Sequence, residues 1–285
     1  MNLRERDSLC FGDNSLLLLL YFKCMSKSGK TNKRRNNGVR KFFKITGIVF
    51  LLLFVISILF PVIYKWVNPP VTPLMLIRKV DKGYSIEHEW RDLDRISPYM
   101  VQCAVSSEDN NFLGHNGFDY GAIEKAIEES ESGKRRRGAS TISQQTAKNV
   151  FLWPRSSWFR KGLEAYFTFL IEHIWSKERI MEVYLNVIEM GPGIYGAEAA
   201  AQHYYHTDAA HLTQQQSALI TACYPAPLHR DPSRPTSYLK KRAAQIIHNA
   251  RCIGKIDFEE ETIKKARQRY EAREEMRRAK KKKRQ

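Results

Sequence analysis

The sequence predicts a mainly α-helical domain that follows one N-terminal transmembrane helix. Two observations lead to this fold class. Residues 45–64 carry no charge, and twenty apolar residues are enough to cross a bilayer core of about 30 Å as a helix. Between residues 100 and 250, apolar side chains recur at helical spacings, and little of this region alternates with the period of two that is typical of strands.

The apolar run is interpreted as an uncleaved membrane helix. It ends near Tyr64 and Trp66, aromatic residues that favour a membrane interface. A buried core helix and a cleaved signal peptide are the alternatives, but a signal peptide has a shorter apolar region and a small-residue cleavage site. Eight lysines and arginines from Lys27 to Lys44 precede the run without an acidic residue. The positive-inside rule therefore predicts that residues 1–44 are a cytoplasmic basic tail.

Composition changes suggest the other boundaries. Residues 65–89 are expected to be a linker, because prolines cluster at their start. Residues 90–255 are expected to form the folded domain, and residues 256–285 a charged, helix-prone, peripheral C-terminal tail. Translation is expected to start at Met25, just before the basic block, so that residues 1–24 would be a mis-assigned start. A genuine N-terminal extension is the alternative.

The net charge of +17 predicts attraction to polyanions such as nucleic acid, anionic lipid or a phosphorylated substrate. No nucleic-acid recognition fingerprint is found, so nucleic acid is not an expected partner. The five cysteines are scattered, without a C-x-x-C pair or a histidine cluster. No zinc site is therefore expected, and buried free thiols are the expected state.

Two adjacent carboxylates, Glu108 and Asp109, stand at a predicted helix end. Phe112 and His115 follow them closely. A carboxylate in a partly apolar cleft can exchange protons at the working pH, which makes this patch a candidate for general acid–base chemistry. The alternative is a solvated acidic turn.

A second patch combines hydroxyls, amides and cations. Thr141 and Gln144 fit a capping box that opens a helix, and Ser140, Gln145 and Lys148 lie beside them. A helix N-terminus near cations suits an anion such as pyrophosphate, and the segment 134–137, with Lys134 and Arg137, adds positive charge just upstream. An ordinary capped helix beside a solvated basic loop is the alternative.

Charged residues at helical spacing form a third patch. Arg160, Lys161 and Glu164 share one helical face because residues three and four apart align. The alternative is a surface ion pair of little energetic value. Further along, Ser176 is expected to cap a helix that carries Asn186. Trp158 and Phe159 suit either a membrane interface or core packing.

Together, four motifs resemble the ordered motif set of the family-51 glycosyltransferases. They read E-D-x-x-F-x-x-H-x-G from Glu108, G-x-S-T-I-x-Q-Q from Gly138, R-K-x-x-E from Arg160 and K-E-x-I-x-E-x-Y-L-N from Lys177. The resemblance covers roughly residues 90–250. It departs from the family at Ala139, where glycine is common, and in the fifth motif, for which Arg242 is the best match.

The resemblance implies a lysozyme-like glycosyltransferase domain with two lobes and a cleft between them. It implies polymerisation of lipid II into peptidoglycan, with inversion at the donor anomeric carbon and release of polyprenyl pyrophosphate. It also implies a single-pass protein of the bacterial inner membrane with a periplasmic catalytic domain. The expected partners are lipid II, the nascent glycan strand, the bilayer and other cell-wall synthesis proteins. A lysozyme-like enzyme that cleaves glycan is the alternative function.

Residue roles follow from the same resemblance. Glu108 would be the general base, and Glu164 would orient cations, bind a divalent ion or assist departure of the leaving group. No cofactor would be required, although Mg²⁺ or Mn²⁺ assists some members. The expected substrate-binding residues are Asp109, Phe112, His115, Lys134, Arg137, Ser140, Thr141, Gln144, Gln145, Lys148, Arg160, Lys161, Asn186 and Arg242.

A monofunctional member is expected rather than one joined to a penicillin-binding domain. Ser237 and Lys240 formally match S-x-x-K, but neither S-x-N nor K-T-G occurs in the 45 residues after Lys240. Ser237 is therefore interpreted as part of a helix start, and no covalent labelling by penicillin is expected.

Overall fold

A computed structural model describes residues 14–133 and 138–283, with side chains from residue 39 onward. The chain forms two compact units that divide after Leu59. The described part of the first unit is helix α1, which runs over Asn14–Ile63 and so extends past that division. Its segment Val39–Ile63 is long and apolar enough to cross a membrane, with a mean hydropathy of 2.8 and only 6% of its most apolar window buried. The predicted membrane helix lies within this segment except for its last residue.

The second unit, from Phe60 onward, is mainly helical as predicted. Its helices are α2 (Pro73–Lys82), α3 (Pro98–Glu108), α4 (Tyr120–Glu131), α5 (Ile142–Phe151), α6 (Trp158–Ile174), α7 (Lys177–Val187), α8 (Gly196–Tyr205), α9 (Gln214–Cys223), α10 (Ser237–Ile253) and α11 (Glu260–Lys282). Single 3-10 turns occur at Leu93–Arg95 and Ala209–His211.

Local sequence explains where these helices begin. Thr141 and Gln144 form the predicted capping box at α5, in which the Thr141 hydroxyl accepts from the Gln144 N–H. The Ser176 hydroxyl accepts from the Arg179 N–H and caps α7, as predicted. Each cap satisfies a backbone donor that the first helical turn leaves unpaired.

A small sheet lies beside the helices. Strands β1 (Glu87–His88), β2 (Glu189–Gly191) and β3 (Ile194–Tyr195) pair in the order β1-β3-β2, with β1 parallel and β2 antiparallel to β3. Gly193 makes the turn at φ +80°, and a Cβ there would stand 2.2 Å from the Ser85 carbonyl oxygen. Only glycine fits this turn without displacing the backbone of residue 85.

The core is built around α3, α5 and α7. Met100, Ile142, Met181 and Tyr184 are fully buried there. A second cluster joins α3 to α9 and α10 through small side chains, including Cys103, and burial raises the pKa of the Cys103 thiol to about 12. These helices fix the end of α3 and the start of α5, where the predicted catalytic motifs lie.

Two expectations about boundaries differ from the structure. The segment 65–89 is not a free linker, because it contains α2, which buries Leu74 and Met75. The tail 256–285 is not peripheral in its described part, because α11 buries Tyr270 against the domain. In both cases the local composition suggested that the segment would be exposed. Apolar or aromatic side chains that pack into the domain instead hold the segment against it.

Candidate active site

Glu108 is the last residue of α3, and its carboxylate is only partly buried. One oxygen accepts a hydrogen bond from Gln145 Nε2 at 2.9 Å, and the other accepts one from the Ser107 hydroxyl at 3.1 Å. Arg242 Nη2 lies 3.3 Å from the same hydroxyl. The structure therefore brings Glu108, Gln145 and Arg242 together, and Glu108 is partly exposed.

The orientation of the Gln145 amide is set by Tyr184. The Tyr184 hydroxyl donates to Gln145 Oε1 at 3.3 Å, which directs the amide NH₂ towards Glu108. Burial, followed by the nearby Glu108 charge, raises the pKa of Tyr184 well above its usual range, so the phenol stays a neutral donor. Sequence reasoning missed Tyr184 as a site residue, although it stands inside the fourth motif.

Asp109 and His115 form a buried pair behind the catalytic carboxylate. The His115 Nε2 lies 2.9 Å from Asp109 Oδ1, and Asp109 Oδ2 accepts from the Ile142 N–H at 3.0 Å. The Gly117 N–H donates to His115 Nδ1 at 3.1 Å, so the ring proton resides on Nε2 and points at Asp109. This network joins the end of α3 to the first residue of α5.

Several predicted substrate-binding side chains are enclosed by protein. Phe112 and Asn186 are fully buried, and Asn186 bonds both backbone groups of Arg91 at 2.8 Å. Six of the predicted substrate-binding residues are buried and surrounded by protein: Asp109, Phe112, His115, Thr141, Gln144 and Asn186. Direct contact of this set with substrate stays a prediction, and the contacts in the structure are those that hold the site from behind. Ser140 is exposed just before α5.

A cluster of cations surrounds Glu164 on α6. Arg160 Nη1 donates to Glu164 Oε2 at 2.8 Å, and the Lys161 ammonium bonds the other oxygen. Glu164 is buried and Arg160 nearly so, whereas the Lys161 side chain is 45% exposed. The predicted helical face is thus confirmed, and the surface-pair alternative is wrong for the buried Arg160 and Glu164.

Lys148 links this cluster to the Glu108 region. Burial lowers the pKa of Lys148, while Glu164 opposes that shift and Arg160 and Lys161 reinforce it. Lys148 lies one turn after Gln145 on α5, so the two side chains share a face. Lys134 and Arg137, also predicted to bind substrate, lie outside the described residues.

A cavity of about 220 Å³ opens along this face of α5. Its polar lining residues are Arg78, Gln145, Lys148, Asn149, Glu189 and Tyr224. Arg78 comes from α2 and binds Glu189 through two hydrogen bonds of 3.0 and 3.1 Å. Sequence reasoning missed Arg78, Glu189 and Tyr224, since each is brought to the cavity by contacts between distant parts of the chain.

The described residues offer a poor site for a divalent cation. Both oxygens of Glu164 already bind cationic side chains. In the part of the chain that the structure describes, no cluster of three or more His, Cys, Asp or Glu side chains is placed to hold a metal ion. A divalent ion at Glu164 would have to displace Arg160 or Lys161.

Comparison with known proteins identifies the domain that carries this geometry. A sequence model of the transglycosylase family matches residues 75–251, from α2 almost to the end of α10. The chain belongs to the transglycosylase family. The matched transglycosylase region contains Glu108, Gln145, Lys148 and Glu164, and α11 lies beyond it.

Relatives support the same assignment. A protein of Bacteroides thetaiotaomicron is 52% identical over 214 residues, which are 73% of this chain and 86% of the relative. A protein of Caulobacter vibrioides is 53% identical over 198 residues, which are 70% of this chain and 86% of the relative. A protein of Shewanella oneidensis is 45% identical over 222 residues, which are 77% of this chain and 95% of the relative. All three are biosynthetic peptidoglycan transglycosylases.

Proposed function

We propose that this transglycosylase polymerises lipid II into peptidoglycan glycan strands, with the growing strand as donor. Family membership supports the reaction class. The observation that carries the proposal is the cavity along α5, which Gln145 and Lys148 line. Gln145 binds Glu108. Lys148 interacts electrostatically with Arg160, Lys161 and Glu164. A base and a cation cluster are both needed when a hydroxyl displaces a pyrophosphate.

Glu108 is the general base of the proposed reaction. The 4-hydroxyl of the incoming lipid II attacks the donor's anomeric carbon and gives its proton to the Glu108 carboxylate. The new C–O bond forms as the bond to pyrophosphate breaks, and the configuration inverts. Gln145 holds one carboxylate oxygen, and the carboxylate's partial exposure leaves it open to the acceptor. General base catalysis of this kind contributes roughly 10²–10⁴-fold.

Lys148, Arg160 and Lys161 act on the departing pyrophosphate. Cations that are already in place lower the cost of charge developing in the transition state. The Arg160 Nε is buried and has no hydrogen-bond partner among the described residues, so it offers a donor that an anion can satisfy. Glu164 holds Arg160 and Lys161 in position.

The finer placement of the protein is part of this proposal. The basic residues from Lys27 to Lys44, which precede the apolar run of α1, support a cytoplasmic N-terminus and a periplasmic catalytic domain in the inner membrane. The side chains of Trp158 and Phe159 are 94% and 71% exposed, which excludes core packing and supports contact with the bilayer that holds the lipid substrate.

The test is incubation of the full-length protein with lipid II alone. Polymer should form with wild type and with the control Asp94→Asn, which changes an exposed carboxylate, and should not form with Glu108→Gln. Release of fragments from preformed glycan, without polymer from lipid II, would replace the proposal by a glycan-cleaving function.

A further inference from the structure

The C-terminal helix α11 lies beyond the matched family region, yet it is bound tightly to the loop behind the catalytic carboxylate. A Cβ on Gly114 would stand 2.8 Å from Tyr270 Cβ and 3.0 Å from the Ala266 carbonyl oxygen. Such close contact with the backbone and Cβ of a helix leaves room only for glycine. The loop and α11 are therefore fitted to each other.

Tyr270 is the buried anchor of this contact. Its hydroxyl accepts from the Tyr120 N–H at 3.2 Å and lies 3.4 Å from Asp119 Oδ1. Asp119 caps α4 by accepting from the Ala122 N–H at 3.0 Å. The Asp119 carboxylate also binds Asn111 Nδ2 at 2.8 Å, so one phenol supports both the helix cap and the loop.

The far end of α11 is held by charge. Arg277 and Lys281 bind the two oxygens of Glu124 at 3.0 and 2.5 Å. Glu124 lies on α4, four residues after Tyr120, so these pairs and Tyr270 attach α11 along one side of α4. Glu124 and Arg277 are 27% and 33% exposed, so their pair is worth more than a fully exposed pair and adds to the buried anchor.

The contact extends to the catalytic network through His115. The Tyr270 ring meets the His115 ring edge-on, with centroids 6.0 Å apart. His115 in turn holds Asp109, which receives the Ile142 N–H at the start of α5. Glu108 precedes Asp109, and Gln145 follows Ile142 by three residues. Movement of His115 would therefore displace Glu108 relative to Gln145.

We propose that α11 is a positioning element of the active site and that Tyr270 is its positioning residue, acting through His115 and Asp109 on the Glu108–Gln145 contact. Tyr270 touches no reacting atom in this role. The inference rests on the proposed lipid II polymerisation for its kinetic test, but its structural part is independent of the substrate. Part of the structure that positions the catalytic groups would thus lie outside the matched family region.

The kinetic test uses the full chain with Tyr270→Ala, Tyr270→Phe and the control Glu261→Gln, which removes an exposed ion pair within α11. Tyr270→Ala should lower kcat about ten-fold with KM for lipid II unchanged, because misplaced catalytic groups slow chemistry more than binding. Tyr270→Phe should restore most of kcat, since the ring is kept. Wild-type kcat for folded Tyr270→Ala would overturn the proposal.

A second readout does not depend on activity. In Tyr270→Ala, hydrogen exchange should accelerate at the Gly117 and Ile142 amides, which bind His115 and Asp109. Exchange should stay unchanged at the His206 amide that ends α8, which packs against the small sheet. Unchanged exchange at Gly117 and Ile142 would contradict the proposal. An inactive wild type with faster exchange in the variant would refute the proposed function alone.

A milder variant covers the case in which Tyr270→Ala does not fold. Glu124→Gln removes the partner of Arg277 and Lys281 without opening a cavity. It should lower kcat with KM unchanged and accelerate exchange at Gly117 and Ile142, whereas Glu261→Gln should match wild type. Identical behaviour of Glu124→Gln and Glu261→Gln would overturn the proposal.

Discussion

The pair Arg160–Glu164 allows a quantitative prediction through a double-mutant cycle. The Arg160 and Glu164 side chains are only 9% and 4% exposed, and they meet at 2.8 Å. Removing one member of a buried ion pair costs about 3–5 kcal/mol, because the other charge stays buried without its partner. Lys161 still binds Glu164 after Arg160→Ala, so the expected loss of unfolding free energy lies near the lower limit, about 3 kcal/mol.

The double variant Arg160→Ala/Glu164→Gln should lose less than the sum of the single losses. Each single change leaves one charge buried without its partner, whereas the double change removes both charges. The expected coupling free energy of the double-mutant cycle is therefore about 2 kcal/mol. Lys161→Ala is the matched control, because its side chain is 45% exposed and should cost about 1 kcal/mol or less. Turnover of lipid II should fall in all three single variants, because Lys161 also acts on the pyrophosphate, and the double variant should be no slower than the slower single variant.

The assay measures unfolding of the detergent-solubilised full chain and lipid II turnover for wild type and each variant. Losses that add to within about 0.5 kcal/mol would show that Arg160 and Glu164 are energetically independent. Turnover close to wild type in all variants would remove the cluster from the mechanism.

Three further predictions address other parts of the structure. Burial lowers the pKa of Lys148, and the protonated form is the active one. The polymerisation rate should therefore fall, as the pH rises, at a lower pH than an ordinary lysine would cause. In an active Lys148→Arg variant this alkaline fall in rate should vanish, because arginine stays protonated. Tyr184→Phe removes the bond that orients Gln145, and should slow turnover and cost about 1 kcal/mol of stability. Gly83 has φ +68° and no atom near its Cβ position, so Gly83→Ala should lower the stability by about 1 kcal/mol through backbone strain. Gly193→Ala should lower the stability clearly more, because its Cβ would clash with backbone. Thermal unfolding measures both losses.

Local sequence signals predicted the elements that depend on local physics. The capping box at Thr141 and the cap at Ser176 are each formed by residues three positions apart, so the sequence alone contains the complete interaction. The same holds for Arg160 and Glu164, which meet because helical geometry brings them together. The roles expected from the motifs for Glu108 and Lys148 stay predictions, supported by the cavity that Lys148 lines together with Gln145, the partner of Glu108.

Contacts between distant segments were not predictable in this way. Arg78 and Glu189 are 111 residues apart in sequence and meet only through the packing of α2. One signal for α2 was present, because Thr72 followed by a proline is typical of a helix start. Tyr270 lies in a highly charged segment. The sequence around it contains no signal that its side chain is buried at the start of α4.

Polar residues of the first motif show a different limit. Asp109 and His115 are the types that bind substrates, and sequence cannot tell whether their polar atoms face a cleft or each other. The structure pairs them at 2.9 Å inside the protein, where the backbone N–H of Ile142 completes the network. These contacts hold the site in position, and Glu108 is the more exposed of the two adjacent acidic residues; a substrate contact of Asp109 or His115 stays a prediction.

The most direct test of the central claim is lipid II polymerisation by wild type and Glu108→Gln under identical conditions, with folding verified by circular dichroism. The substitution keeps the shape of the side chain but removes the base, so turnover should fall by roughly 10²–10⁴-fold while the melting temperature changes little. Near-wild-type turnover by a folded Glu108→Gln protein would contradict the account, because the proposed chemistry leaves the attacking hydroxyl no other base.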